Sequence, residues 1–236
     1  ENVLGNAVQI RSWTLAKLPN DSFSINNAII MDNSSRWPLM IDPQGQANRW
    51  IRNMEAEKSV KATKQSNSGF IRTMENAIQF GTPIIIENVP EWLDPVLNPV
   101  LMKKIVMVGN TPHITLGDNQ IPYDSGFRLY LTTKLPNPHF SPDICVMLTI
   151  LNFASTPEGL EDQMLGVVVK AEAPDLEKQN EQLVIEGAKN QKQLKEIEDS
   201  ILRLLDSAEG NILDDEKLVN TLSASKVTSN KIAEKV

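Results

Sequence analysis

The feature that most constrains the fold is the alternation of short apolar segments with amphipathic helical segments in the first two thirds of the chain. Five segments resemble buried strands: 38–42, 60–64, 83–87, 127–132 and 149–153. The first and third are continuous apolar runs, as in strands covered on both faces of a parallel sheet. Helical patterns over 46–58 and 68–80 follow the first two strands. This alternation predicts a three-layer α/β domain with a central parallel sheet, in which the first strand is internal.

One segment between the third and fourth strands departs from this alternation. Residues 106–123 (VMVGNTPHITLGDNQIPY) combine β-branched residues with turn-forming glycine, asparagine and aspartate. The segment predicts a hairpin or two short strands inserted before the fourth strand.

The sequence changes character at Pro174. Thirteen of the 14 prolines precede it, and neither a proline nor an aromatic residue follows it. A heptad pattern begins there, and residues 209–211 (EGN) predict a stop before a second helix. We therefore predict an α/β large subdomain over 1–155, the start of a helical small subdomain over 156–174, and an antiparallel helical (coiled-coil) hairpin over 175–236.

The apolar seam of the predicted hairpin is uneven. Its first half includes Gly187 and Asn190, whereas its second half is apolar. Glycine costs about 1 kcal/mol in a helix interior relative to alanine. This unevenness predicts an arm that bends near its base, and the alternative is that the irregular half packs against the α/β part. The residues expected to couple this arm to a partner are Leu183, Gly187, Asn190, Leu194, Ile197, Ile201 and Leu204.

The segment LMIDPQGQANRWI has the strand, turn and helix of a phosphate-binding loop without its chemistry. Such a loop wraps phosphate in backbone N–H groups, while a lysine and a hydroxyl residue hold phosphate and Mg²⁺. Here Asp42 places a carboxylate at the first glycine position, Asn48 replaces the lysine, and Arg49 replaces the hydroxyl residue and is expected to point away. The other members of this vestigial loop are Pro43, Gly45 and Ala47. The alternative is an ordinary Pro-x-Gly turn between a strand and a helix.

The end of the third strand shows a second loss. An ATPase of this kind has Asp-Glu there, to support Mg²⁺ and to activate water. This chain has Glu87-Asn88, and Asn88 cannot act as a base. A third loss is that no arginine occurs between Arg128 and Arg203, where an arginine finger is expected. We predict a vestigial site with no catalytic residue and no bound cofactor. The alternative is a slow ATPase or a module that binds nucleotide passively.

Composition and charge exclude several classes of function. The net charge of −7 argues against a broad nucleic-acid surface. No apolar run approaches 18 residues, so no membrane span is predicted. The single cysteine, Cys145, excludes an internal disulfide. His113 and His139 stand at irregular spacing from it, which is poor evidence for zinc, and no metal site is predicted.

Four long segments resemble one known family. They are LPNDSFSINNAIIMDNSSRWPLMIDPQGQANRWIRNME, ENAIQFGTPIIIENVPEWLDPVLNPVL, FRLYLTTKLPNPHFSPDICVMLTILNF and TPEGLEDQMLGVVVKAEAPDLE. They are similar to the fifth AAA+ module of dynein heavy chains. The segment RWPLMIDPQGQANRW is more similar to ciliary (axonemal) chains than to the cytoplasmic transport chain.

The resemblance implies a role inside a larger motor. Such motors contain a ring of six modules powered by ATP elsewhere in the ring. Their fifth module is non-hydrolysing, and a buttress or strut hairpin emerging from it braces the coiled-coil stalk. The implied partners are neighbouring AAA+ modules and the stalk, with microtubules reached only through the parent motor. The implied location is the cytoplasm and cytoskeleton, in the cilium axoneme. Glu1 in place of methionine, and a helical pattern that continues to Val236, predict a fragment of a longer chain.

Overall fold

The computed structural model describes residues 4–206. Within these residues the backbone forms two compact units. The first contains residues 4–5 and 16–163, and the second contains residues 6–15 and 164–206. The predicted second arm of the hairpin, over 211–236, and the side chain of Leu204 lie outside the described part of the chain.

Eight strands and eight α-helices make up the described residues. The strands are β1 (Trp37–Ile41), β2 (Lys61–Lys64), β3 (Ile84–Glu87), β4 (Ile105–Val108), β5 (Thr111–Leu116), β6 (Asn119–Pro122), β7 (Leu129–Thr133) and β8 (Leu148–Asn152). The helices are α1 (Ala7–Leu15), α2 (Ser22–Asn33), α3 (Gln46–Met54), α4 (Phe70–Phe80), α5 (Asn98–Leu101), α6 (Pro142–Met147), α7 (Pro157–Glu172) and α8 (Pro174–Asp206).

The first unit is built on a five-stranded sheet with the order β2-β3-β7-β1-β8. Every pairing in it is parallel. The predicted α/β class and all five predicted core strands are confirmed, and β1 lies inside the sheet between β7 and β8. Because the strands run in one direction, the residues that follow β1, β2, β3 and β7 all emerge at the same carboxyl edge. That edge is where the predicted loop residues lie.

The two predicted helices next to the sheet form with shorter bounds. α3 ends at Met54, and a short 3₁₀ turn continues the chain over Ala56–Lys58. The side chain of Glu55 is buried at this break, where its Oε1 accepts a hydrogen bond of 2.8 Å from the Tyr130 hydroxyl of β7. This contact turns the chain toward the sheet. α4 begins at Phe70, two residues later than predicted, and buries Phe70, Met74 and Ile78.

The insertion before β7 contains one strand more than predicted. Strands β4, β5 and β6 form an antiparallel meander instead of a hairpin or two strands. Its two turns contain Gly109 and Gly117, each with a φ of 63°. Glycine adopts this left-handed conformation without steric cost, so the chain reverses twice within a few residues.

The meander is packed on one side only. Ile114, Leu116 and Ile121 are buried and belong to the hydrophobic core of the first unit. All four residues of β4 are exposed, including Val106 and Met107, although each is apolar. β4 pairs with β5 alone, so it is an exposed apolar edge strand.

The second unit contains α1, the larger part of α7, and α8. α8 has 33 residues, which corresponds to about 50 Å. α1 packs against α8, and a Cβ atom added at Gly187 would lie 3.2 Å from a guanidinium nitrogen of Arg11. Gly187 therefore leaves room for the guanidinium group of Arg11 against α8. The predicted first arm is confirmed as a helix, but its irregular half contacts α1, a neighbour that the sequence did not indicate.

We expect the buried strand β5 and the exposed strand β4 of the meander to differ sharply in their contribution to the free energy of unfolding. Replacing the buried Ile114 by alanine should lower the free energy of unfolding by about 2–5 kcal/mol, because it leaves a cavity in the core. Met107→Ala, a similar deletion on the exposed edge strand, should change it by less than about 0.5 kcal/mol. Urea unfolding followed by circular dichroism measures both. Equal losses would contradict the assignment of β4 to the surface.

Candidate functional site

The vestigial loop connects β1 to α3 at the carboxyl edge of the sheet. The backbone N–H of Asp42 donates to the carbonyl oxygen of Thr133 over 2.8 Å, which extends the β1–β7 pairing into the loop. Gly45 has a φ of 79° and precedes α3. A residue with a side chain would be strained in this conformation. The strand therefore fixes where the loop begins, and the glycine lets it turn directly into the helix.

The carboxylate of Asp42 occupies the amino terminus of α3. Its Oδ1 accepts from the backbone N–H of Gln46 and its Oδ2 from that of Asn48, each over 2.9 Å. Asp42 is buried, with 1% of its surface exposed. In a phosphate-binding loop these N–H groups face the ligand. Here the chain supplies its own anion, whereas the sequence indicated only that Asp42 would repel a phosphate.

Two opposing influences act on the acidity of Asp42. Burial, the larger of them, raises the pKa of its carboxyl above the ordinary value. Hydrogen bonds from the backbone N–H groups of residues 45–48 favour the ionised form and oppose this rise without cancelling it.

The remaining polar residues of the loop are bonded to the end of β3. Asn48 donates from Nδ2 to Oε1 of Glu87 over 2.8 Å. Arg52 forms a salt bridge with the same oxygen and donates from Nε to Oδ1 of Asn48 over 2.8 Å. These three side chains form a closed triangle between α3 and β3. The position of the missing lysine, Asn48, is therefore bonded to Glu87 directly, and Arg52 bonds to both.

This triangle keeps Glu87 ionised. Partial burial is the largest single influence and raises the pKa of the Glu87 carboxyl, but the hydrogen bonds from Arg52 and Asn48 outweigh it, so the pKa is lowered. A carboxylate in that state accepts hydrogen bonds and is a poor proton acceptor at neutral pH. Asn88, the next residue, has a φ of 54° and an amide side chain that cannot take up a proton.

Gln46 fixes the first turn of α3 to the last strand. Its Nε2 donates to the carbonyl oxygen of Phe153, immediately after β8. Its Oε1 accepts from Ser155 Oγ over 3.4 Å and from Gln163 Nε2 over 3.2 Å. Both ends of the Gln46 amide are therefore used inside the protein, and the first turn of α3 is held from two sides.

An open cavity of about 350 Å³ lies above the triangle. It is lined by Gly45, Asn48, Arg49, Arg52, Lys64, Glu87, Asn88 and Lys134. The sequence predicted that Arg49 would point away from the site, and Arg49 is among the residues that border the cavity. One turn of α3 carries Asn48, Arg49 and Arg52 toward the same opening.

Most of the vestigial residues indicated by the sequence meet at this edge. Asp42, Gly45, Asn48, Arg49, Glu87 and Asn88 surround the amino terminus of α3, Pro43 lies in the turn, and Ala47 is buried beneath it. Sequence reasoning missed Gln46, Arg52 and Lys64. Arg52 carried one usable signal: it lies four residues after Asn48, a spacing that places two helical side chains next to each other.

The predicted coupling residues lie in the second unit, on α8. Leu183 is exposed by 66%, while Gly187, Asn190, Leu194, Ile197 and Ile201 are partly buried. The seam is therefore partly covered along most of its described length.

Residues 4–206 contain neither a group of metal ligands nor a membrane-spanning helix. Within this range no group of three or more histidine, cysteine, aspartate or glutamate side chains is placed to hold a metal ion. None of the helices in the same range is long and apolar enough to span a bilayer.

We expect Asp42 to stabilise the first unit through its two hydrogen bonds. Asp42→Ala leaves two N–H groups without an acceptor and should lower the free energy of unfolding by about 0.5–2 kcal/mol, the cost of losing a helix cap. Asp42→Asn keeps one acceptor oxygen and should lose less. Urea unfolding at pH 7 measures both variants. A larger loss for asparagine than for alanine would contradict the capping role.

Comparison with known proteins identifies the family. The model of a family described as the ATP-binding dynein motor region matches residues 11–232. Dynein axonemal heavy chain 3 of Mus musculus is 50% identical over 234 residues, and dynein axonemal heavy chain 1 of Rattus norvegicus is 52% identical over 235 residues. These matches cover 99% and 100% of this chain, but the chain spans only 6% and 5% of the two relatives. This chain belongs to the ATP-binding dynein motor region family.

Proposed function

We propose that this chain is a non-hydrolysing structural AAA+ module, the fifth in the ring of an axonemal dynein motor. The observation that carries the proposal is the Asp42 carboxylate, which accepts hydrogen bonds from the N–H groups of Gln46 and Asn48. These are the donors that a P-loop offers to a phosphate group. Since an internal anion fills them, a bound nucleotide would have to displace a buried side chain.

The catalytic groups are also absent or engaged. Glu87 is bonded to Arg52 and Asn48, so its carboxylate has two partners before any metal ion arrives. Asn88 follows it in the place of a water-activating glutamate. Both observations support a module that does not turn over ATP, although the parent motor would be an ATPase.

The second unit supports a mechanical role. α8 is a 33-residue helix, with an uneven seam in which Gly187 lies against Arg11 of α1. We infer that this helix is the first arm of a buttress hairpin that relays movements of the ring to the stalk. Its partners are then the neighbouring AAA+ modules and the stalk coiled coil of the same heavy chain. Microtubules are reached through the parent motor, in the cytoskeleton of the cilium axoneme.

A nucleotide-binding regulatory module, or a slow ATPase, is the second candidate. The cavity above the vestigial loop favours it, because Arg49, Lys64 and Lys134 border the cavity and could attract phosphate groups. This second candidate function requires a nucleotide to bind without the N–H groups at the start of α3, because Asp42 already accepts hydrogen bonds from them.

We expect calorimetric titration of this chain with Mg-ATP to show no micromolar binding. The triple substitution Asp42→Gly, Asn48→Lys and Arg49→Thr frees the N–H groups and restores a cation and a hydroxyl. It should increase affinity by roughly one to two decades, since a charge-assisted hydrogen bond contributes about 1.5–3 kcal/mol. Arg72→Thr, on α4, is a control that should leave the weak binding unchanged. Micromolar binding by the unsubstituted chain would contradict the proposal.

We expect the arm to control coupling in the intact motor. Gly187→Ala together with Asn190→Leu should stiffen α8, because alanine favours a helix by about 1 kcal/mol over glycine. Basal ATP hydrolysis by the parent motor should survive, while its microtubule affinity should no longer follow its nucleotide state. Lys189→Ala, an exposed position on the same helix, is the matched control. If coupling is unchanged in the double variant, flexibility at these two positions has no part in the relay.

A further inference from the structure

Two adjoining hollows form a groove at the carboxyl edge of the sheet. The first is the cavity above the vestigial loop. The second, of about 420 Å³, is lined by Lys64, Gln65, Ser66, Asn88, Pro90 and Trp92. Both hollows are bordered by Lys64 and Asn88, so they lie next to each other. We define the edge groove by Arg49, Lys64, Asn88, Trp92 and Lys134.

One end of the edge groove carries unbalanced positive charge. Arg49, Lys64 and Lys134 come from α3, β2 and the residue after β7, and they converge because Lys64 pairs in register with Glu87 at the carboxyl edge. Glu87 is the only acidic residue lining the two hollows, and it forms its salt bridge with Arg52. Among residues 4–206, no carboxylate forms a salt bridge with any of these three cations. This positive cluster stands out in a chain whose net charge is −7.

The other end offers an apolar surface. Trp92 is exposed by 64% and lies beside Pro90. A phosphate group would leave this surface uncovered, whereas a polypeptide can cover it with an aliphatic side chain.

We propose that the edge groove binds an extended acidic segment of polypeptide. Its carboxylates pair with Arg49, Lys64 and Lys134, and an aliphatic side chain covers Trp92. The proposal deepens the non-catalytic role proposed above and rests on it in one respect: the N–H groups of α3 are already occupied by Asp42, so the anion meets side-chain cations instead. A site built for ATP hydrolysis thus becomes a surface for protein contact.

The test uses this chain and a fluorescein-labelled peptide in which glutamate alternates with leucine. Fluorescence anisotropy at low ionic strength should detect binding, and the same peptide with glutamine for glutamate should bind at least about tenfold more weakly, the loss expected from about 1.4 kcal/mol of charge pairing. The double variant Arg49→Gln and Lys64→Gln should weaken the acidic peptide by a similar factor. Trp92→Ala should weaken both peptides. Added salt should weaken only the acidic one.

The matched control is Lys104→Gln, which removes the same charge from an exposed position outside the groove. It should leave the affinity for the acidic peptide unchanged. Absence of binding, or an equal loss in Lys104→Gln and Lys64→Gln, overturns the proposal. Displacement of the peptide by micromolar inorganic pyrophosphate also overturns it, because the groove would then be a phosphate site. Micromolar binding of Mg-ATP that leaves the peptide in place overturns the proposed function instead of the peptide site. The failure of one proposal can therefore be told from the failure of the other.

Discussion

The hydrogen bonds from the start of α3 to the buried Asp42 carboxylate are the interaction on which the rest of the site depends. They fix the first turn of the helix against the end of β1, whose backbone is paired with β7 up to Asp42 itself. With that turn in place, Asn48 and Arg52 project toward β3 and meet Glu87. A helix free to move at its amino terminus could not hold three polar side chains in one hydrogen-bonded triangle.

The same arrangement shows how the loop satisfies its own polar groups. A P-loop leaves backbone N–H groups unpaired so that a ligand can bind them, and an empty loop therefore carries unsatisfied donors. Here Asp42 satisfies these donors within the fold, and Arg52 pairs with Glu87. Both contacts are internal to the protein. What remains at the surface is the surplus of cations around the cavity, which is free to serve another partner.

The two units differ in how far their side chains are buried. In the first unit, strands such as β3 and β7 are buried in the parallel sheet and belong to a continuous core. In the second, one long helix has only partly buried seam residues, and α1 covers it near Gly187. A helix with few buried side chains opens locally more easily than a strand inside a sheet.

The sequence by itself determined the class of fold, the five strands of the parallel sheet and the long helix, because each depends on local periodicity. The loss of catalytic groups, inferred from residue identity, stays a prediction. The sequence did not determine that Asp42 would cap α3, that Arg52 would bond to Glu87, or that Arg49 would border the cavity. These contacts join residues on different elements, and they depend on strand order and register. The sequence also predicted one strand too few in the meander. Strand β4 has the composition of a core strand but lies exposed. Only the tertiary structure decides which apolar strand finds a covering layer and which polar groups meet.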